Sequence, residues 1–436
     1  MQVTTPGPER AKDLRPSFRE GVRGRLALPA DGLDVVVEDG SPVGSDRWWD
    51  AVSALGTPLR TPGPDETDVT LFLFRSADAG AVYVDVQPFT DRSRLADGLM
   101  ERVPGTDVWC AAFTTGPGWI SAYGFLPLDE VPVAPAERNT DAARSWWLGL
   151  LGRSVPDPLN PDPPFRGMRS DVRSVARGAR APRAAERGAG DARGTLEPHV
   201  WHRSGVADYP VWTYVAPGAE AGAPGGAGLP LVVLHDGQVW ERLDVAAAFD
   251  ALVARGALPP FVAVLVSSLD QASRTRDLPG SAAYYDAVAD GLLPEVTERL
   301  AARGVRVTSD PARTVVAGQS FGGLAALQAV RHRPDRFGLA LGQSASLWWP
   351  GHDDPASRDV AAWLRSAPAR HERVVLQVGA HEGDLTAANR EVRDLLVARG
   401  EHVDYAEVDG GHDWAWWSAC LGDGLVTLLG PPDAGR

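Results

Sequence analysis

The sequence predicts a two-domain protein in which a β-rich domain precedes a doubly wound α/β domain. With 436 residues, the chain is too long for one ordinary domain and long enough for two. Its composition, 44% hydrophobic and 23% charged residues, is typical of a globular protein. Strand-like runs separated by turn residues fill the first part, whereas strand-like and helical patterns alternate in the second part.

The first 156 residues carry the signals of the β-rich domain. Residues 1–20 are polar and rich in proline and arginine, and we expect a flexible arm there. Residues 21–156 are predicted to form a small antiparallel sandwich, with helices limited to residues 45–55 and 142–151. Runs rich in β-branched and aromatic residues predict its strands at residues 69–74, 81–86, 108–114 and 119–126.

Residues 157–194 differ in composition from both flanking regions. A proline-dense stretch is followed by one rich in arginine, alanine and glycine. This composition favours a solvated linker between the domains. The alternative is a basic flap close to an anionic ligand.

Residues 195–430 show the alternation expected of a parallel sheet covered by helices. Short apolar runs predict buried parallel strands at residues 230–234 and 261–267. Further strands are predicted at residues 313–317, 337–343, 374–378 and 403–408. Apolar residues at helical spacing predict helices at residues 284–303, 321–333, 386–399 and 414–429.

The charge and cysteine content exclude several classes of function. Acidic residues outnumber basic ones by 57 to 43, and the net charge of −14 argues against nucleic acid or an anionic membrane as a partner. Two cysteines are too few for a disulfide framework or a cysteine-based metal site. The N-terminus lacks the apolar core of a secretory signal, so we expect a cytoplasmic protein.

A serine nucleophile is predicted at Ser320. This residue is the centre of a Gly-x-Ser-x-Gly motif that follows a predicted strand and opens a predicted helix. The two glycines leave room for the sharp turn that exposes the serine hydroxyl. The backbone N–H of Phe321, at the start of the helix, would stabilise a developing oxyanion. We interpret the motif as the nucleophile elbow of an esterase.

The general base is expected near the C-terminus. His412 lies in a glycine-rich loop after the last predicted strand, where the hydrolase order of serine, acid and histidine places the base. The acid that orients the imidazole should follow the preceding strand, and both Glu382 and Asp384 occur there. Spacing alone leaves the choice between these two carboxylates open. Asp413 is adjacent to His412 and is expected to point elsewhere.

A second oxyanion donor is expected in the loop after an early strand. Gly237 and Gln238 follow the predicted strand at residues 230–234, and the glycine allows close approach of the backbone. We interpret Asp236 as a residue that shapes this loop rather than as a catalytic one.

These motifs resemble those of the enterochelin esterase family, which hydrolyses the trilactones of tricatecholate siderophores. The resemblance covers most of the chain and both predicted domains. In the second domain, six short segments carry the resemblance. They are HDGQ with Asp236, residues 274–278, GQSFGG around Ser320, residues 343–349, the G-x-x-E motif of Gly379 and Glu382, and GGHDW around His412. In the first it is carried by residues 56–59, 69–75, 104–109, 121–125 and 157–161.

The resemblance implies an esterase-D-like α/β-hydrolase domain behind an all-β, immunoglobulin-like domain, in a cytoplasmic enzyme. It favours Glu382 over Asp384 as the acid of a Ser-His-Glu triad. Two residues depart from the family pattern: Asp277 stands where the family usually has Glu, and Ser281 where it usually has Asn. If they shape the substrate pocket, the preferred siderophore differs from enterobactin.

The expected reaction is hydrolysis of a ferric siderophore, with iron arriving as part of the substrate and no resident metal or other cofactor. The ferric complex is an anion, so this acidic protein needs basic residues at the site. We expect Arg274 and Arg276, with Arg75 and Trp414, to contact the substrate. The alternatives are a feruloyl or S-formylglutathione type of esterase on the same fold and a siderophore-binding protein without catalysis.

Overall fold

Two compact units make up the computed structural model of the chain. It describes residues 25–26, 40–63, 66–91, 95–137, 140–168, 171–219, 226, 228–349, 360–366 and 373–431. Residues 9–182 with residues 408–416 form the N-terminal unit, and residues 183–407 with residues 417–436 form the C-terminal unit. The predicted arm at residues 1–20 lies outside the described residues.

The described part of the N-terminal unit contains a five-stranded sheet, β1-β6-β3-β2 with β5 beside β6, and a four-stranded sheet, β4-β7-β9-β8. The pairings are antiparallel, as predicted. The four predicted strands are confirmed as β3, β4, β6 and β7. The strands are β1 Arg25–Leu26, β2 Leu59–Pro62, β3 Asp68–Arg75, β4 Ala81–Val86, β5 Glu101–Arg102, β6 Val108–Thr115, β7 Ile120–Leu128, β8 Phe165–Arg166 and β9 Val172–Arg177.

Both sheets contribute side chains to one apolar core. Phe72 of the first sheet contacts Tyr123 of the second edge to face, with ring centroids 4.9 Å apart. The outer faces are apolar as well, because residues on both faces of β3 are buried. Helix α1, Asp46–Leu55, covers one outer face with Trp48.

Helix α2, Asp141–Leu151, covers the other outer face, where Trp147 packs on Tyr83. The two helical predictions are therefore confirmed. The description of this domain as all-β is wrong, because apolar residues on both faces of the sheets require a helical cover. An immunoglobulin-like topology stays a prediction.

The predicted linker is also wrong over much of its length. Strands β8 and β9 lie inside residues 157–194, and β9 pairs with β7. Arg173 of β9 is buried, and its guanidinium lies 2.6 Å from the carboxylate of Asp85. The arginine-rich composition suggested solvent exposure, but an arginine with a buried partner belongs to the interior.

In the C-terminal unit, the described strands form one eight-stranded sheet in the order β10-β11-β13-β12-β14-β15-β16-β17. Strands β13, β12, β14, β15 and β16 are parallel to one another, and β10 and β11 add an antiparallel edge. This mixed sheet confirms the predicted α/β class. The strands are β10 Thr195–Arg203, β11 Ala207–Val215, β12 Leu231–His235, β13 Val262–Val266, β14 Thr314–Gln319, β15 Leu339–Gln343, β16 Arg373–Gly379 and β17 His402–Val408.

Helices cover this sheet. The predicted helix at residues 284–303 is divided by a π-helical turn, Val288–Leu292, just before Pro294, which lacks the N–H that an α-helix would use. Among the described helices, none combines the length and apolar character that a bilayer crossing needs. The helices are α3 Gly237–Arg242, α4 Val245–Ala254, α5 Gln271–Asp277, α6 Ala282–Ala287, α7 Leu293–Ala301, α8 Phe321–His332, α9 Val360–Ser366, α10 Asp384–Ala398 and α11 Trp414–Leu429.

The buried pair of Arg173 and Asp85 predicts a large stability effect. Replacing Arg173 with methionine removes the positive charge next to a buried carboxylate, which should cost about 3–5 kcal/mol. Arg180→Met is the matched control, because Arg180 is 70% exposed and lies 3.9 Å from Glu66. Chemical denaturation should show a change below about 1 kcal/mol for this control. Equal small effects of the two variants would contradict the contribution to stability that is assigned to the buried pair.

Candidate active site

The predicted nucleophile elbow is confirmed in its backbone geometry. Strand β14 ends at Gln319 and helix α8 begins at Phe321, so Ser320 alone makes the turn, with φ of 58° and ψ of −118°. A Cβ atom on Gly318 would lie 2.7 Å from the carbonyl carbon of Gly322. Only a glycine fits this close approach of strand and helix. The positive φ at Ser320 is the strain expected of a residue whose side chain must leave the sheet.

The next parallel strand supplies the immediate surroundings of the nucleophile. The N–H of Ser320 donates to the carbonyl of Gln343, and the N–H of Ser346 donates to the carbonyl of Ser320. The Oγ atoms of Ser320 and Ser346 are 3.3 Å apart. Sequence reasoning noted residues 343–349 only as a family motif and missed Ser346. Its position just past β15, beside β14, is the signal that could have found it.

The predicted oxyanion residues lie at the same height along the sheet as Ser320. Leu234 of β12 is paired with Ala317 of β14, so Gly237 and Ser320 each stand three residues beyond this pair. A Cβ on Gly237 would lie 2.6 Å from the backbone of Leu265, so this position also requires glycine. Phe321 stands in the first turn of α8, where N–H groups lack intrahelical partners. Their role in holding an oxyanion stays a prediction.

Gln238 has a visible structural contact. Its Oε1 accepts the N–H of Ser268, with an N–O distance of 2.9 Å. The side chain therefore holds the segment that follows β13.

Asp236 is a buried junction below the elbow, which confirms that it shapes this loop. Its carboxylate accepts hydrogen bonds from Arg274, from Ser268 Oγ at 2.6 Å and from Gln319 Nε2 at 2.6 Å. Asp236 itself has a φ of 58°. The segment that follows β12, the segment that follows β13 and the last residue of β14 are thereby joined at one carboxylate.

Arg274 is paired inside the protein, and its contact with a substrate stays a prediction. The guanidinium is buried, forms 2.9 Å contacts with both oxygens of Asp236, and lies 5.5 Å from the ring centroid of Phe321. The positive charge of Arg274, which we expected to meet an anionic substrate, is therefore paired with the negative charge of Asp236. The predicted location was right, because Arg274 also donates to the carbonyl of Gln319 at the carboxyl end of β14.

Arg276 and Asp277 belong to a second ionic group. Arg276 is half exposed and donates to Asp277 and to the hydroxyl of Tyr209. Asp277 also accepts from Arg203 at 2.9 Å. Burial raises the pKa of Asp277, but hydrogen bonds from Arg276, Tyr209 and Arg203 outweigh it, so the net pKa is below its ordinary value. The exposed edge of Arg276 leaves its role as a substrate contact a prediction.

The other departure from the family pattern, Ser281, has a structural contact of its own. It begins helix α6 and accepts the N–H of Tyr284, with an N–O distance of 3.3 Å. A serine in this position is a common N-cap.

Glu382 is held in place more firmly than Asp384. Its Oε1 accepts the N–H of Gly379 at 2.7 Å and the hydroxyl of Ser344 at 2.5 Å. Ser344 in turn accepts the indole N–H of Trp417. Asp384 is the first residue of α10, where a carboxylate suits the helix N-terminus. The geometry thus favours Glu382 as the carboxylate with a fixed direction.

His235, the last residue of β12, lies close to the elbow. A Cβ on Gly322 would lie 3.2 Å from the Cβ of His235. Burial lowers the pKa of His235 to about 4, and its Nδ1 lies 3.4 Å from the hydroxyl of Tyr284. A buried histidine that stays neutral serves packing there.

His412 belongs to the N-terminal unit, whereas Ser320 and Glu382 belong to the C-terminal unit. The side chain of His412 is exposed, and its backbone N–H donates to Oε1 of Gln87 at 2.8 Å. Asp413 is buried and accepts the N–H of Ala122 at 2.6 Å. Its carboxylate therefore points toward β7, as we expected.

The two other predicted substrate contacts are also residues of the N-terminal unit. Arg75 pairs with Asp46 and Asp107 and lies 5.7 Å from the ring centroid of Trp49. Trp414, the first residue of α11, is partly exposed and lies near Gly167. Their contact with a substrate stays a prediction. Within the described residues, no group of three or more His, Cys, Asp or Glu side chains could hold a metal ion.

Two family models match the chain. The model described as "Enterochelin esterase, N-terminal" matches residues 68–187, and the model described as "Putative esterase" matches residues 218–428. The chain is 34% identical to the iron(III) enterobactin esterase of Dickeya dadantii, over 92% of this chain and 97% of that protein. It belongs to the enterochelin esterase family.

Other members of the enterochelin esterase family agree with this assignment. The iron(III) salmochelin esterase of Escherichia coli is 31% identical over 88% of this chain and 93% of its own length. Among solved structures, the enterobactin esterase of Shigella flexneri in the presence of enterobactin has a TM-score of 0.74 and 31% identity. That match covers 89% of this chain and 99% of the Shigella chain.

The contacts of Glu382 predict which of the two carboxylates, Glu382 or Asp384, is needed for ester hydrolysis. Glu382→Gln should lower kcat for ester hydrolysis by up to about 10⁴-fold, because an amide in place of the carboxylate mis-sets the tautomer of the catalytic imidazole. Asp384→Asn should change kcat less than about threefold. Steady-state kinetics on one activated ester would compare the two. A lower kcat for Asp384→Asn than for Glu382→Gln would instead assign the acid to Asp384.

The pairing of Arg274 with Asp236 predicts a loss that does not depend on substrate charge. Arg274→Met leaves a buried carboxylate uncompensated, which should destabilise the fold by about 3–5 kcal/mol. Turnover of a neutral ester and of a ferric siderophore should fall by the same factor. Arg276→Met should instead raise KM for the anionic substrate only. A selective KM effect of Arg274→Met would return this residue to the substrate site.

Proposed function

We propose that this enzyme is a serine esterase that hydrolyses the trilactone backbone of ferric enterobactin-type siderophores and thereby releases iron. The observation that carries the proposal is the elbow of Ser320, in a chain that is similar over nearly its full length to iron(III) enterobactin esterases. The family match at residues 68–187 supports a siderophore substrate over a simple aryl or feruloyl ester.

The proposed mechanism uses a Ser320–His412–Glu382 triad. Ser320 attacks a serine-ester carbonyl of the macrolactone while His412 accepts its proton. The C–O bond of that ester then breaks, and His412 returns the proton to the leaving serine hydroxyl. Water finally hydrolyses the acyl-enzyme, with His412 again acting as the base. Glu382 orients the imidazole, a role supported by its fixed carboxylate. Phe321 and the Gly237–Gln238 segment stabilise the oxyanion, which their height along the sheet supports.

Iron enters this reaction only as part of the substrate. The three catecholates hold the ferric ion tightly because the trilactone ring preorganises them, and opening the ring removes that advantage. We propose no resident metal or other cofactor. Arg276, Arg75 and Trp414 are the proposed contacts for the anionic, aromatic ligand, because arginine and tryptophan both suit catechol rings.

The cytoplasm is the proposed location of the reaction. The net charge of −14 argues against nucleic acid or an anionic membrane as a partner.

Product analysis with a nucleophile variant tests this function. Ser320→Ala should lower hydrolysis of ferric enterobactin by several orders of magnitude without changing the unfolding temperature, because only the attacking hydroxyl is removed. Mass spectrometry would follow monomer, dimer and trimer products from enterobactin, bacillibactin and salmochelin, each with and without iron.

Ser204→Ala is the matched control, because Ser204 is an exposed residue in the turn between β10 and β11. It should retain full activity. Turnover by Ser320→Ala above about a tenth of wild type would contradict the assigned nucleophile. Wild-type activity confined to feruloyl or glutathione thioesters would contradict the assigned substrate.

A further inference from the structure

The loop between β17 and α11, residues 409–413, carries His412 and is bound to strand β7 of the N-terminal unit. The N–H of Ile120, at the start of β7, donates to the carbonyl of Asp409 at 3.0 Å. Gln87, just after β4, accepts the N–H of His412 at 2.8 Å. The loop is thus held at the histidine itself and three residues before it.

Asp413 makes the densest set of contacts in this loop. One of its oxygens accepts the N–H of Ala122 at 2.6 Å and the hydroxyl of Ser121 at 3.0 Å, and the other accepts the N–H of Ala415 at 2.7 Å. Burial raises the pKa of Asp413, while these donors and the charge of Arg173 act in the opposite direction. A buried carboxylate with several donors fixes the loop closely, since displacing it leaves both sides unpaired.

The two glycines before His412 permit this close seating. A Cβ on Gly410 would lie 3.1 Å from the carbonyl oxygen of Ile120, and a Cβ on Gly411 would lie 2.5 Å from Oε1 of Gln87. The carbonyl of Gly411 also accepts the indole N–H of Trp416 at 2.6 Å. The Gly-Gly-His-Asp sequence is therefore shaped to lie against β7 and Gln87.

We infer that Asp413 and Gln87 are positioning residues for the reaction. Asp413, bound to strand β7, and Gln87, which follows β4, together set the backbone from which the His412 imidazole projects. The inference rests on the proposed role of His412 as general base. A base displaced by about 1 Å can cost on the order of a hundredfold in rate.

The test measures kcat and KM on a neutral p-nitrophenyl ester, which does not depend on siderophore contacts. Asp413→Asn should lower kcat about 10- to 100-fold and leave KM within about twofold, because the imidazole is misplaced while the acyl site is kept. Gln87→Leu, which removes the acceptor for the His412 N–H, should lower kcat in the same way by a smaller factor. Thermal unfolding of each variant shows that the enzyme is folded.

A double-mutant cycle separates positioning from a general structural effect. In a His412→Ala background, Asp413→Asn should cost nothing further, because it acts only through the histidine. Asp250→Asn is the matched control: Asp250 is a buried carboxylate that accepts from Arg187, Tyr214 and Gly194 in the C-terminal unit. It should lower the unfolding temperature without lowering kcat of the folded enzyme.

The possible outcomes distinguish this inference from the proposed function. Full activity of Asp413→Asn and Gln87→Leu, or an equal loss in the presence and absence of His412, would overturn the positioning role and leave the triad intact. Full activity of His412→Ala would instead overturn the assigned base. A selective loss of kcat that disappears in the His412→Ala background supports the inference.

Discussion

The geometry around Ser320 depends on the hydrogen bonds that the buried carboxylate of Asp236 accepts. This carboxylate joins Ser268 and Arg274, which both follow β13, to Gln319, the last residue of the neighbouring strand β14. A negative charge in the interior is stable only when donors surround it, so these segments have one favourable arrangement. The strained turn at Ser320 directly follows Gln319 and is fixed by the same junction.

The parallel sheet explains why chemistry collects at one edge. Parallel strands end at the same side, and ligands bind there in open α/β sheets. Ser320 follows β14, Ser344 and Ser346 follow β15, and Glu382 follows β16. The chain of contacts from Trp417 through Ser344 to Glu382 links helix α11 to the acid loop within this unit. Side chains distant in sequence thus hold the acid in a fixed direction.

Arginine has two very different uses in this protein. Arg173 and Arg274 are buried and each is neutralised by one aspartate, 88 and 38 residues away in the chain. Arg276 and Arg75 keep an exposed side, although each is also paired. The sequence composition does not distinguish these two uses. The free-energy cost of burying an arginine depends on whether an acidic side chain lies next to it in the fold. This is why an arginine-rich segment was mistaken for a linker, and why the sequence did not reveal the buried partner of Arg274.

The sequence by itself determined the features that depend only on neighbouring residues. Apolar runs located the central strands of both units, and the glycine spacing located the turn at Ser320, because period and backbone freedom are properties of neighbouring residues. The tertiary structure decided what depends on contacts between distant residues. It alone showed that the two predicted helices pack on the outer faces of the sheets, that Asp236 is the partner of Arg274, and that the carboxylate of Glu382 has a fixed direction. It also showed that the loop of His412 lies against β7, because hydrogen bonds from Ile120 and Ala122 reach it across nearly 300 positions of the chain.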